Sequence, residues 1–144
     1  MSNPIYTAKA HVTGGRVKGH GVGDTGLTVD LRPPVEMGGE GGGSNPEELF
    51  AIGYAACFEG ALGVVARRAK VEPGDVAIDS KVSLLPTPER GFKLAVELDV
   101  TLPGISDPTA AVEVVKAAHQ VCPYSNATRG NIEVTLTANG VAVD

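Results

Sequence analysis

Asn45-Pro46-Glu47-Glu48-Leu49-Phe50-Ala51-Ile52-Gly53-Tyr54-Ala55-Ala56-Cys57-Phe58 opens a helix and runs into a long apolar one with a cysteine in its middle. Asn45 is a good N-cap, Pro46 fits the first helical position, and Glu48, three residues after the cap, comes close to completing a capping box. Glu47 and Glu48 also suit the positive end of the helix dipole. From Leu49 to Ala66 the only charge is Glu59. A helix apolar nearly all round is expected to be buried all round, as a membrane span or as the central helix of a wrapped core. The run only just reaches spanning length, carries Glu59 near its middle and contains Gly53, Gly60 and Gly63, so a core helix is expected. Gly53, Ala56, Gly60 and Gly63 make one face smooth enough for another backbone to approach. Cys57 on its own reads as a small buried hydrophobe.

The chain has 144 residues, enough for one domain, residues 1–144, with a real core. Its formal charge is −5 and its longest basic run is Arg67-Arg68, which argues against nucleic acid as a partner. No Trp is present and aromatics are scarce, so a base-stacking platform is not expected. The first residues lack the apolar core of a signal peptide, and no second candidate span exists, so a cytoplasmic protein with no membrane partner is expected. That compartment keeps thiols reduced, so the two cysteines are not read as a structural staple.

Residues 5–13 alternate as a half-buried strand, and Gly14-Gly15 reads as a two-residue hairpin turn into a strand from Arg16. Asp24-Thr25-Gly26 turns the chain into Leu27, Val29 and Leu31, and Pro33-Pro34 ends the meander. The glycine-rich loop Gly38–Gly43 lacks a Gly-Lys-Ser/Thr motif and is followed by two acids, so it reads as a backbone loop rather than a phosphate cradle. After the long helix, Val76–Leu84 and Phe92–Leu102 alternate as two strands around a loop at 86–91. Asp107 caps a second helix with Pro108 at its first position; Val112, Val115, His119 and Cys122 form its expected buried stripe, and Pro123 ends it. Ile132–Ala138 is the last strand. The expected order is βββ-α-ββ-α-β, mostly antiparallel, of class α+β.

Two helices in a two-layer domain usually pack on each other, so Cys57 and Cys122 could meet across 65 residues of sequence. There is no CxxC motif, and His119-x-x-Cys122 supplies only two metal ligands, with His11 and His20 on a distant hairpin; no metal site is assigned. A buried thiol is inert unless a cation lowers its pKa. Arg16 and Arg129 are the candidate cations, and a buried guanidinium would need a carboxylate to hold it. The residues alone leave open a dithiol redox site, a redox sensor, or a binding module with two core cysteines.

The stretch Asn45–Phe58 resembles the first signature of the organic hydroperoxide resistance proteins (Ohr), within the Ohr/OsmC family. Ala118-His119-Gln120-Val121-Cys122-Pro123-Tyr124-Ser125-Asn126-Ala127-Thr128-Arg129-Gly130-Asn131-Ile132 resembles the second, and Tyr6-Thr7-Ala8 and Gly14-Gly15-Arg16 resemble the family's N-terminal strands. The resemblance implies an OsmC-like fold: sheets wrapped around long central helices in an intertwined homodimer. It also implies a thiol peroxidase that reduces organic hydroperoxides to alcohols with no cofactor. Carried onto this chain, Cys57 is the peroxidatic and Cys122 the resolving cysteine, Arg16 and Glu47 the activating ion pair, and the reductant a dihydrolipoyl dithiol on lipoylated proteins. Phe50, Ile52 and Phe58 are the expected apolar walls of the substrate pocket. Glu47 and Cys57 are ten residues apart, about 15 Å along a regular helix, so Glu47 and its Arg16 are expected to reach Cys57 from a second chain unless the helix bends near Gly53.

Overall fold

The computed structural model describes residues Ser2–Asp144. The class is α+β, with two sheets and three α-helices in the order β1 (Ala10–Thr13), β2 (Gly19–Gly23), β3 (Thr28–Leu31), α1 (Pro46–Ala69), β4 (Ala77–Pro86), β5 (Phe92–Thr101), α2 (Pro108–Val121), α3 (Pro123–Thr128), β6 (Glu133–Ala138) and β7 (Val141–Val143). The chain divides into two compact units, one ending at Leu49 and the other spanning Phe50–Asp144.

In the N-terminal unit, β1, β2 and β3 form an antiparallel meander. Its first strand is shorter than the alternation predicts, beginning at Ala10, and β2 begins at Gly19 rather than Arg16. The pairing explains the shift. Gly19 lies opposite Leu31 and Gly21 opposite Val29, and a Cβ on Gly21 would come within 3.3 Å of the Val29 side chain. That register leaves residues 14–18 as a longer loop, with Gly14 and Gly15 both at positive φ. Gly14 has no substitute: a Cβ there would meet the Lys18 carbonyl at 2.0 Å. Arg16, freed from the ladder, sits on this loop.

The start of α1 follows the sequence closely. The Asn45 Oδ1 accepts the Glu48 N–H at 2.8 Å. The Glu48 carboxylate accepts the Ser44 hydroxyl at 2.7 Å, so this acid ties down the residue before the cap.

The C-terminal unit holds a four-stranded sheet in the order β4-β5-β6-β7. β4–β5 and β6–β7 are antiparallel, while β5–β6 is a parallel pair, as the helical crossover through α2 and α3 demands. Val96, Leu98 and Val100 of β5 alternate with exposed Glu97 and Asp99, as predicted. Against that face pack Ala111, Val115 and Ala118 of α2 and Tyr54, Phe58 and Leu62 of α1, in one buried cluster. The buried stripe of α2 is thus shifted by one residue: Ala111 replaces Val112 and Ala118 replaces His119, both of the latter being half-buried.

One expectation fails within a single chain. α1 is covered along one stripe, Tyr54–Phe58–Ala61/Leu62–Val65, while Ile52 is 63% exposed and Ala56 and Gly60 are also exposed. By length and composition α1 is the one helix among the described residues that could cross a membrane.

Strand β7 was not foreseen, although Asn139-Gly140 is a strong hairpin signal. Both residues adopt positive φ, 49° and 82°. The Asn139 amide accepts the Leu102 N–H at 2.7 Å and donates to the carbonyls of Leu102 and Ile105, both at 3.1 Å. Asn139→Ala strands these groups beside the fully buried Leu102. We expect a loss of about 2–3 kcal/mol, read as a lower urea midpoint at constant m-value. A loss under about 0.5 kcal/mol, the size of an ordinary surface change, would contradict this role.

Candidate active site

Cys122 sits at a corner made by the residue after it. Pro123 bars the helical conformation to its predecessor, and Cys122 accordingly has φ −59°, ψ 124°. It closes α2 by donating its N–H to the Ala118 carbonyl at 2.9 Å and opens α3 by accepting the Asn126 N–H at 2.9 Å. The turn aims its side chain into the core, where it is fully buried.

Cys57 projects from the middle of α1 and is partly exposed. The two thiols are free and in contact: the Cys122 S–H donates to the Cys57 sulfur at 3.7 Å. A disulfide needs about 2.05 Å, so the sulfurs must approach by roughly 1.7 Å to bond. Burial, chiefly, pushes the Cys57 thiol up; the neighbouring Cys122 thiol adds to the rise and the Tyr124 backbone amide opposes it. These surroundings favour the neutral thiol over the thiolate.

Below the thiols lies a polar cluster that the sequence reading missed. The Tyr54 hydroxyl, one turn before Cys57, bonds to the Ser125 and Thr128 hydroxyls at 2.8 and 3.0 Å, and Ser125 bonds to His119 Nδ1 at 2.8 Å. Tyr54, Ser125 and Thr128 are all buried. The available signal was a lone tyrosine hydroxyl on the buried stripe of an apolar helix, which requires a partner. Tyr124 packs edge-on to Phe50 and tilted to Tyr54, with ring centroids 5.7 and 5.6 Å apart. Gly53 makes room for it: a Cβ there would lie 2.9 Å from the Tyr124 hydroxyl. Gly53 therefore receives a side chain of its own chain, while Gly60 faces open space.

Of the expected pocket walls, Phe50 is half-buried in this aromatic group and Ile52 is exposed, but Phe58 is fully buried and offers no surface to a substrate. Arg129 is not available to the thiols. Its guanidinium donates to the His119 carbonyl at 2.8 Å and to Asn126 Oδ1 at 2.6 Å.

In the N-terminal unit, the Arg16 guanidinium meets Glu47 in a two-point pair at 3.0 and 3.1 Å. The cap at Asn45 places Glu47 in the first helical turn and the 14–18 loop delivers Arg16. Hydrogen bonding from Arg16 holds the Glu47 carboxyl below its ordinary range, against the opposing effect of burial.

A family model described as OsmC-like protein matches residues 39–137, which include Glu47, Cys57 and Cys122. An organic hydroperoxide resistance protein of Xanthomonas axonopodis pv. citri is 54% identical over 95% of this chain and 99% of its own. The chain belongs to the organic hydroperoxide resistance group of the OsmC-like family. Solved structures of the family agree in fold. One from Legionella pneumophila has a TM-score of 0.87 at 50% identity, covering 93% of this chain and 97% of its own. OhrB of Bacillus subtilis has a TM-score of 0.83 at 45% identity, covering 92% of this chain and 98% of its own.

The Arg16–Glu47 pair has a measurable signature. Glu47 keeps its charge to lower pH when folded than when unfolded, so its contribution is fully present above the ordinary carboxyl value of 4.5 and is lost as pH falls through the lower folded value. Arg16→Gln is expected to flatten this part of the acid limb when urea midpoints are followed from neutral pH downward. An unchanged limb would show that the pair does not couple to stability.

Proposed function

We propose that this protein reduces organic hydroperoxides to alcohols with a two-cysteine cycle. The observation that carries the reading is the contact of two free thiols at 3.7 Å, one partly exposed and one fully buried. The names of its relatives, organic hydroperoxide resistance proteins, supply the substrate class. The Cys57 thiolate attacks the distal peroxide oxygen; the O–O bond breaks, and the alkoxide takes a proton and leaves as the alcohol. Cys57 becomes a sulfenic acid, Cys57–S–OH. The Cys122 thiol displaces hydroxide from that sulfur, closing the Cys57–Cys122 disulfide and releasing water. A dihydrolipoyl dithiol, free or on a lipoylated protein, then exchanges with the disulfide and restores both thiols.

The thiolate needs a cation, because burial alone keeps Cys57 protonated. Arg16, held by Glu47, fills that role, and the same charge favours the departing alkoxide. Ten residues of α1 separate Glu47 from Cys57, which supports delivery of the pair by a second copy of the chain. The exposed Ile52, Ala56 and Gly60 on α1 suit such a partner. In this reading residues 1–144 act as one domain in a cytoplasmic homodimer, with Phe50 and Ile52 on the apolar side of the pocket.

Burying a tert-butyl group at about 0.8 kcal/mol per carbon gives a preference over hydrogen peroxide on the order of a hundredfold or more. Steady-state consumption with dihydrolipoamide as reductant is expected to show that preference. Cys57→Ser is expected to abolish turnover, whereas Cys122→Ser allows the first attack and leaves Cys57 to over-oxidise. Equal rates with both peroxides, or turnover surviving in Cys57→Ser, would overturn the reading.

A further inference from the structure

The polar cluster under the thiols is a continuous string of hydrogen bonds. The Thr128 and Tyr54 hydroxyls bond at 3.0 Å, and the Thr128 hydroxyl also lies 3.4 Å from the Ser125 carbonyl. The Tyr54 and Ser125 hydroxyls bond at 2.8 Å. Ser125 Oγ and His119 Nδ1 bond at 2.8 Å, with the imidazole tautomer setting which of the two donates. Burial, first, and the charge of Arg129, second, pull the His119 pKa down, which favours the neutral ring. The result is a continuous chain, His119 to Ser125 to Tyr54 to Thr128, with no buried hydroxyl of the three left over.

Its placement matters more than its length. Tyr54 stands one turn before Cys57 on α1, while His119 and Ser125 stand three residues before and three after Cys122. The chain therefore ties the helix that carries one thiol to the corner that carries the other, from both sides of that corner. Apolar packing would hold these helices together but would tolerate small sliding; a string of short directional bonds does not. A displacement of even one ångström would matter for sulfurs that must close from 3.7 Å.

We propose that Tyr54, Ser125 and His119 are positioning residues that hold Cys122 aligned to resolve oxidised Cys57, and so decide whether the enzyme cycles or is inactivated. This rests on the two-cysteine reading above. The sulfenic acid has two fates. Attack by the Cys122 thiol forms the S–S bond and releases water. A second organic hydroperoxide instead oxidises Cys57–S–OH to the sulfinic acid and is itself reduced to the alcohol. The network speeds only the first.

The test is a single-turnover reaction with tert-butyl hydroperoxide. Disulfide and sulfinic acid are counted by mass spectrometry on the wild type, Tyr54→Phe, His119→Leu and His119→Gln. Losing one directional bond of this kind in Tyr54→Phe or His119→Leu is expected to slow disulfide closure about tenfold and raise the sulfinic share to match. The initial loss of the Cys57 thiol should stay within about twofold of wild type, since neither side chain meets the peroxide. His119→Gln keeps an amide that can donate to or accept from Ser125 and is expected to restore most of the closure rate. Wild-type closure rates in Tyr54→Phe and His119→Leu would overturn the proposal, even if both variants melt earlier. Should Tyr54→Phe not fold, the His119 pair decides the matter at a half-buried position. A wild type that forms no disulfide at all would overturn the two-cysteine reading itself, an outcome distinct from a network that proves idle.

Discussion

The contact between Cys57 and Cys122 sets the terms for the rest of the molecule. To bring sulfurs from distant parts of the sequence to 3.7 Å, one is placed on the longest helix and the other at a proline-made corner buried in the core. Burial disfavours the Cys57 thiolate that the proposed chemistry requires. A fold with such a pair must bring a positive charge to Cys57 without flooding the site with water.

In the proposed cycle the arginine–carboxylate pair is what meets that need. A free arginine close to an apolar site would prefer solvent; Arg16 is instead held at two points by Glu47, with less motion left to lose on meeting a further partner. Glu47 is fixed in turn by the helix cap at Asn45. The same few residues that start α1 therefore also position the Arg16 guanidinium.

Much of this was legible in the sequence. Alternation in 92–102 gave β5 and its buried face, and Asn45-Pro46 and Asp107-Pro108 gave two helix starts within a residue. These are local signals with strong physical causes. What escaped depended on tertiary pairing or on short turns. The Gly14-Gly15 pair has the positive φ values of a hairpin turn, yet the register of Gly19 and Gly21 against Leu31 and Val29 lengthens the loop. Pro123 ends α2, as the sequence predicts, and also starts α3. The hydrogen-bond chain through Tyr54 was invisible because its members are scattered over 75 residues of sequence, and only packing brings them together. The packing of two helices allows the thiols to meet, but nothing in the sequence sets their 3.7 Å separation.

In the proposed cycle Arg16 makes Cys57 reactive where its immediate surroundings do not. The direct measurement is the pH dependence of Cys57 alkylation by iodoacetamide, followed by peptide mass mapping, in wild type and Arg16→Gln. The wild-type midpoint should fall below the ordinary thiol value of about 8.5, and that of Arg16→Gln should rise above it. Coincident midpoints in the two proteins would contradict the claim and separate the ion pair from the chemistry of the thiols.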